Sequence, residues 1–151
     1  MSLLEDHLKW LNLHQEATLE PERPIVDPHH HFWPGEQHYL LEDLWLDTHS
    51  GHNIKKTVFI ECSQEFLKTG DKDFAPVGET IFVKKISDEA RKEKHKTQIE
   101  GIVGHVNLLI GPEKTHEVLT SHLKEGGNLF KGIRHAAVSY THLRAHETYA
   151  D

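Results

Sequence analysis

Runs of apolar residues alternate with more polar segments along the chain, and four of these runs have the composition of β-strands. The second and third runs contain few polar positions, which is typical of a strand buried on both faces of a parallel sheet. The four predicted strands are PIVDPHHH (24–31), KKTVFIECS (55–63), GIVGHVNLLI (101–110) and LFKGIRHAA (129–137).

Three segments between the strands place apolar residues at helical spacing. The first segment ends near Gly51. The third begins with Pro112 and ends on Gly126 and Gly127, residues that suit the first turn and the end of a helix. The three predicted helices are LLEDLWLDTHSGH (40–52), GETIFVKKISDEARKEK (78–94) and PEKTHEVLTSHLKEGG (112–127).

The order of these elements, β-α-β-α-β-α-β, predicts an α/β fold in which right-handed crossovers join parallel strands. An incomplete apolar stripe over residues 3–18 adds a helix ahead of the first strand, so we expect a helical lead-in over residues 1–23. No internal repeat or linker marks a second domain, and 151 residues suit one ordinary domain. We therefore expect a single α/β domain over residues 24–137.

Charge and cysteine content narrow the range of functions. The formal net charge is −7 and no basic run occurs, which argues against a nucleic acid or an anionic membrane as partner. The single cysteine, Cys62, excludes an internal disulfide and fits a reducing, cytoplasmic compartment. No signal peptide is recognisable, and no apolar stretch approaches the roughly 20 residues of a membrane span. The sequence leaves the oligomeric state open.

The end of the first predicted strand carries candidate chemistry. Residues two apart share one face of a strand, so Asp27, His29 and His31 point one way while His30 points the other. Two imidazoles at this spacing suit one divalent metal with a carboxylate nearby, although a catalytic zinc site usually takes three protein ligands. A polar strand end with a solvated histidine triplet gives the same pattern, and spacing alone does not separate the two interpretations.

Polar residues also close the other predicted strands. Glu61 closes the second strand, His105 lies in the third, and Arg134 and His135 close the fourth. Ligands of parallel α/β folds bind at the carboxyl ends of the strands, so these four residues are candidates for substrate binding. The planar guanidinium of Arg134 suits a substrate carboxylate. Taken singly, each of the four is more often a capping or salt-bridging group.

Six blocks of sequence, in order between Pro24 and Ala137, resemble one protein family. The chain is similar here to the amidohydrolase-related family (amidohydrolase 2) of the metal-dependent hydrolase superfamily, in its lactonase-like branch. Neither the histidine pair nor any other single block is specific by itself. The blocks are IVDPHHHFW, YLLEDL, TVFIEC, PVGET, GIVGHVNL and GIRHAA.

The resemblance implies a (β/α)₈ TIM barrel with His29 and His31 as the catalytic, metal-binding pair of the first strand, beside Asp27. It implies zinc or another divalent metal, although some lactonases of this branch work without one. Water would attack a lactone or related carbonyl, with a late aspartate as the base. Arg134 matches the fourth-strand arginine of the family. A decarboxylase or hydratase of the same superfamily and a non-catalytic anion-binding module are the alternatives.

The chain departs from the family near residue 137. A (β/α)₈ barrel needs about 250 residues, and the matching part contains only four strands, so we expect the amino-terminal half of a barrel. The segment VSYTHLRAHET (138–148) resembles the in-frame translation of a transposase adapter used in DNA sequencing libraries. We therefore expect residues 138–151 to be a non-native read-through tail, and the chain to be an inactive fragment of a hydrolase.

Overall fold

A computed structural model describes residues 9, 10, 13, 16–36 and 38–135 of the chain. These residues form an α/β fold of four strands and three helices. The strands are β1 (Pro24–His30), β2 (Asn53–Ile60), β3 (Gln98–His105) and β4 (Phe130–Arg134), and the helices are α1 (Leu41–Thr48), α2 (Val77–Ala90) and α3 (Pro112–Gly126). Short 3-10 turns occur at Lys72–Phe74, Leu108–Ile110 and Gly127–Leu129.

The four strands form one parallel sheet in the order β1-β2-β3-β4. Each strand therefore pairs with the next strand along the chain, and one helix connects each pair. This arrangement confirms the predicted α/β class with a parallel sheet. Because all strands run the same way, their carboxyl ends lie along one edge of the sheet.

The core lies between the sheet and the helices. Its main cluster contains buried residues from the sheet and from two helices, and a smaller cluster joins α2 to α3. The main cluster includes Phe32, Leu44, Phe59, Val83, Ile99 and Ile102. Six apolar strand residues belong to neither cluster, namely Ile25, Val26, Ile54, Val58, Ile60 and Val103, and Val26 is 55% exposed. Part of the apolar surface of the sheet therefore lies outside the helix-side core.

Hydrogen bonds fix α1 at the amino-terminal edge of the sheet. The indole Nε1 of Trp45 donates to the carbonyl of Thr97 at 3.0 Å, just before β3 begins. The hydroxyl of Thr97 donates to the hydroxyl of Thr48 at 2.9 Å. All three residues are buried, so the hydrogen bonds satisfy polar groups that water does not reach.

Two strand predictions need correction. The third strand ends at His105 rather than at residue 110, because Asn107 accepts the N–H of Leu109 at 3.0 Å and starts a 3-10 turn. The second strand is not buried on both faces, because its Lys55 and Lys56 are exposed. It also ends at Ile60, so Glu61 and Cys62 lie beyond it.

The predicted amino-terminal helix is described only in part. Lys9 and Trp10 are helical, but residues 16–18 form no helix, so the predicted helix ends too late. Residues 1–8, 11, 12, 14 and 15 lie outside the described part of the chain, as do residues 136–151 with the expected read-through tail. No helix within the described residues is long and apolar enough to cross a membrane.

Candidate functional site

The side chains of His29 and His31 meet at the carboxyl end of β1. Their Nε2 atoms lie 3.2 Å apart, and the two rings are nearly perpendicular at 86°. The Nδ1 of His31 lies 2.8 Å from the carbonyl oxygen of Ile60. Because a carbonyl only accepts, Nδ1 of His31 carries the proton, and the lone pair of its Nε2 faces His29.

A bulge in β1 produces this arrangement. Asp27 pairs with Thr57 and His30 pairs with Phe59, so three steps along β1 face two along β2. The carboxylate of Asp27 accepts the backbone N–H of His29 at 3.0 Å and so closes a local turn within the bulge. Bulges commonly redirect side chains next to functional sites. Asp27 therefore shapes the backbone that carries the histidine pair.

The spacing of the pair fits one metal ion. Two nitrogens bound to a tetrahedral zinc at about 2.0–2.1 Å are roughly 3.3 Å apart, close to the 3.2 Å between the Nε2 atoms of His29 and His31. The hydrogen bond from His31 to Ile60 is the kind of contact that orients a metal-binding histidine. Within the described residues, no group of three or more His, Cys, Asp or Glu side chains could hold a metal. The pair thus offers two ligands of an incomplete site.

Arg134 is held by Glu61 across the sheet. Its Nε donates to the Oε1 of Glu61 at 2.7 Å, and its Nη2 donates to the carbonyl of Glu61 at 2.6 Å. The Glu61 side chain is 9% exposed, whereas that of Arg134 is 42% exposed. The predicted substrate-binding arginine is therefore already paired along one edge of its guanidinium. Nη1 and the second N–H of Nη2 take no part in these two bonds.

A buried carboxyl behind the site was missed by sequence reasoning. Oε1 of Glu79 accepts the backbone N–H groups of Cys62 and Gln64 at 3.0 and 2.8 Å. Glu79 is 2% exposed, and burial raises the pKa of its carboxyl. Its other oxygen has no hydrogen-bond partner among the described residues. The available signal was an acidic residue in the first turn of α2, directly after Gly78.

His105 and His135 stack at the ends of β3 and β4. Their ring centroids lie 5.6 Å apart, with 17° between the planes. The Nδ1 of His105 lies 3.1 Å from the carbonyl of Arg134, and the Nδ1 of His135 lies 3.1 Å from the carbonyl of Val106. The Nδ1 of His105 thus faces an acceptor, which leaves Nε2 as the lone-pair nitrogen of its neutral ring, whereas the Nδ1 of His135 also lies 3.5 Å from the backbone nitrogen of Leu108.

Two other histidines belong to the core rather than to the site. His30 packs between Phe32 and Phe59, its two ring nitrogens have no partner among the described residues, and burial lowers its pKa to about 4. The Nδ1 of His122 lies 2.8 Å from the hydroxyl oxygen of Thr80, and burial lowers the pKa of His122 as well. Both are neutral near pH 7, so the middle histidine of the triplet is structural.

The structure places six of the seven predicted site residues along the carboxyl edge of the sheet, in three groups, while Asp27 lies within β1, before the bulge and in register with Thr57. The histidine pair ends β1, the Glu61–Arg134 pair joins β2 to β4, and the stacked histidines end β3 and β4. A shallow cleft of about 290 Å³ on this side is lined by Trp33, Gly35, Glu36 and Gln64. Another cleft of about 400 Å³, which includes Trp45 and Lys96, lies at the opposite edge.

Comparisons of the chain with protein-family models, with curated proteins and with solved structures found no match. The chemistry of the site is therefore inferred from its own geometry.

Proposed function

We propose that the described residues form the amino-terminal half of a (β/α)₈ barrel of the amidohydrolase-related type, from a hydrolase that acts on a lactone or related carbonyl compound. The strand order supports this proposal. Four consecutive parallel strands pair in sequence order without reversal, whereas a doubly wound sheet reverses its order at a switch point. The apolar strand residues outside the helix-side core would face the interior of the barrel.

The histidine pair is the observation that carries the proposal. Two Nε2 atoms that converge at 3.2 Å, with one ring fixed by a backbone carbonyl, suit the polarisation of a carbonyl oxygen. A zinc ion bound by His29 and His31 would act as a Lewis acid and lower the pKa of a bound water. Without metal, the Nε2–H of His29 is directed at Nε2 of His31, so it would have to leave that contact to donate to the substrate oxygen. The general base that activates water would come from an aspartate beyond the described residues.

Arg134 would bind a carboxylate of the substrate. Glu61 occupies the Nε and Nη2 edge of the guanidinium, which fixes its plane and leaves the Nη1 side to face a ligand. A planar guanidinium held in this way binds a carboxylate with less loss of side-chain freedom than a mobile one. His105 and His135, which stack beside Arg134, would line the same end of the pocket.

Two alternatives share parts of this geometry. A decarboxylase or hydratase of the same superfamily would use the same first-strand histidines. A non-catalytic anion-binding module would need only the Glu61–Arg134 pair and its neighbours. The close approach of the two Nε2 atoms favours an enzyme, because anion binding alone gives no reason for the two nitrogens to converge.

The source gene beyond codon 137 tests the proposal. We expect four further strand–helix units there, with histidines and an aspartate at the ends of the strands. A genuine stop codon near codon 137 would instead support the binding module. Strands that continue without histidine or aspartate at their ends would contradict a hydrolase.

A further inference from the structure

One peptide group connects Glu79 to Arg134. The carbonyl of Glu61 accepts from Nη2 of Arg134 at 2.6 Å, and the N–H on the same peptide, that of Cys62, donates to Oε1 of Glu79 at 3.0 Å. A peptide group is planar, with its C=O and N–H on opposite sides. The direction of the carbonyl that faces Arg134 is therefore set by the acceptor that holds the N–H.

Glu79 also holds the turn that follows this peptide. Its Oε1 accepts the N–H of Gln64 at 2.8 Å as well, so one oxygen spans both sides of Ser63. Ser63 and Glu65 have φ angles of +63° and +50°, a left-handed backbone that residues other than glycine seldom adopt. Such residues persist where the surrounding structure fixes them, and Glu79 supplies that constraint at Ser63.

The start of α2 presses directly against this turn. A Cβ added at Gly78 would lie 2.6 Å from the backbone nitrogen of Leu67 and 2.9 Å from the carbonyl carbon of Phe66. Only glycine allows the helix and the turn to approach so closely. The backbone that carries the Glu79 side chain is therefore closely packed against the turn.

The other hydrogen bonds of Glu61 do not fix the orientation of the Glu61–Cys62 peptide, which therefore depends on Glu79. The backbone N–H of Glu61 donates to Val103 at 2.8 Å and so fixes the residue to β3. The carboxylate of Glu61 is bound by Arg134 itself. Among the described residues, the rotation of the Glu61–Cys62 peptide is thus restrained on one side by Arg134 and on the other by Glu79.

We propose that Glu79 is a positioning residue for Arg134, which it orients through the Glu61–Cys62 peptide. The inference rests on the proposed function in one respect, namely that Arg134 binds the carboxylate of the substrate. Without Glu79 the peptide turns away, Nη2 of Arg134 loses its acceptor, and the guanidinium is held by the Glu61 carboxylate alone. Glu79 touches neither Arg134 nor the substrate, so it is not a catalytic residue.

The side-chain Nε–H signal of Arg134 in ¹⁵N NMR spectra of the full chain tests this inference. In Glu79→Ala we expect the Nε–H of Arg134 to exchange with solvent at least about fivefold faster than in the unchanged protein. Glu79→Gln should restore slow exchange, because the amide oxygen accepts the same two N–H groups. Ser87→Ala is the matched control, since buried Ser87 lies on the same helix and donates to Ile99 at 3.1 Å.

Unchanged exchange in Glu79→Ala, or equal acceleration in Ser87→Ala, would overturn the inference. If Glu79→Ala does not fold, Glu79→Asp replaces it. The carboxyl of the replacement is one methylene too short to reach both N–H groups, so exchange should again be fast in the Glu79→Asp variant and slow in Glu79→Gln. Equal exchange in these two variants would overturn the inference in that case.

A titration with glutarate, a simple dicarboxylate, separates this inference from the proposed function. If glutarate moves no signal of Arg134 in the unchanged protein, the carboxylate-binding role of Arg134 is wrong. The exchange rates measured without glutarate still decide whether Glu79 positions the guanidinium. If glutarate binds, its affinity should fall at least about fivefold in Glu79→Ala and remain within about twofold in Glu79→Gln and Ser87→Ala.

Discussion

The imidazole of His31 donates its Nδ1–H to the carbonyl of Ile60 at 2.8 Å, which joins the end of β1 to the end of β2. The bond sets the chemistry of the pair, because it leaves Nε2 of His31 as an acceptor that faces Nε2 of His29 at 3.2 Å. One proton then lies between the two Nε2 atoms, and His29 must carry it when both rings are neutral.

Long-range ¹H–¹⁵N NMR spectra at neutral pH test this assignment. We expect His31 in the Nδ1–H tautomer and His29 in the Nε2–H tautomer. In solution the Nε2–H form is common, so the Nδ1–H form of His31 is the informative signal. Exposed His116, on α3, serves as the reference for an unconstrained ring. An Nε2–H tautomer for His31 would contradict the arrangement of the pair.

Buried His30 makes folding sensitive to acid. Its pKa falls from 6.5 to about 4 on folding, so between these values the unfolded chain binds a proton that the folded chain does not. The contribution of His30 to the free energy of unfolding should therefore be fully present above pH 6.5. It should be lost as the pH falls from 6.5 to 4, by about 3 kcal/mol in total.

His30→Phe should remove this share of the acid sensitivity, because phenylalanine does not titrate and suits the contacts with Phe32 and Phe59. His122 keeps its own contribution in both proteins. Urea unfolding at several pH values measures the difference. A free energy of unfolding that falls equally with acid in both proteins would rule out His30 as the source.

Glu79 should have the opposite pH dependence. Burial raises its pKa above 4.5, so the folded chain holds a proton that the unfolded chain has released. The contribution of Glu79 to stability is therefore greatest below pH 4.5 and is lost as the pH rises through the folded-state pKa. Relative to Glu79→Gln, the unchanged protein should lose stability as the pH rises from about 4 towards neutrality. A difference that stays constant over this range would contradict a raised pKa.

The pairing of Glu61 with Arg134 should appear in a double-mutant cycle. Arg134→Met leaves the buried carboxylate of Glu61 without its cation, and we expect a loss of about 2 kcal/mol, less than for a fully buried pair because Arg134 is half exposed. The double variant with Glu61→Gln should recover at least half of that loss. Strictly additive free energies of unfolding would show that the two side chains do not interact.

The order of strands and helices followed from the sequence because apolar runs, glycines and prolines act locally. Pro112 and Gly127 mark the two ends of α3 as predicted. The end of β3 was misplaced because the cap by Asn107 competes with an apolar run that continues to residue 110. Propensity over a short window does not reveal which of the two prevails.

The site was predictable only to the level of the strand ends. The period of two along a strand indicated that His29 and His31 share a side. The bond between Glu61 and Arg134 joins residues 73 positions apart and depends on the register of three strands, which no local pattern contains. Glu79 was missed because its role depends on the turn that it holds, and that turn has no sequence signature of its own.

Zinc binding to the full chain tests the central claim, that His29 and His31 are two ligands of a metal-binding catalytic site. By calorimetry we expect one weak site with a Kd of about 10 μM or higher, because only two ligands converge. The binding free energy of this site falls well short of the roughly 10–16 kcal/mol of structural zinc sites. His29→Ala and His31→Ala should each abolish binding, and His116→Ala should leave it unchanged. Binding that survives both substitutions, or no binding by the unchanged protein at millimolar zinc, would contradict the claim.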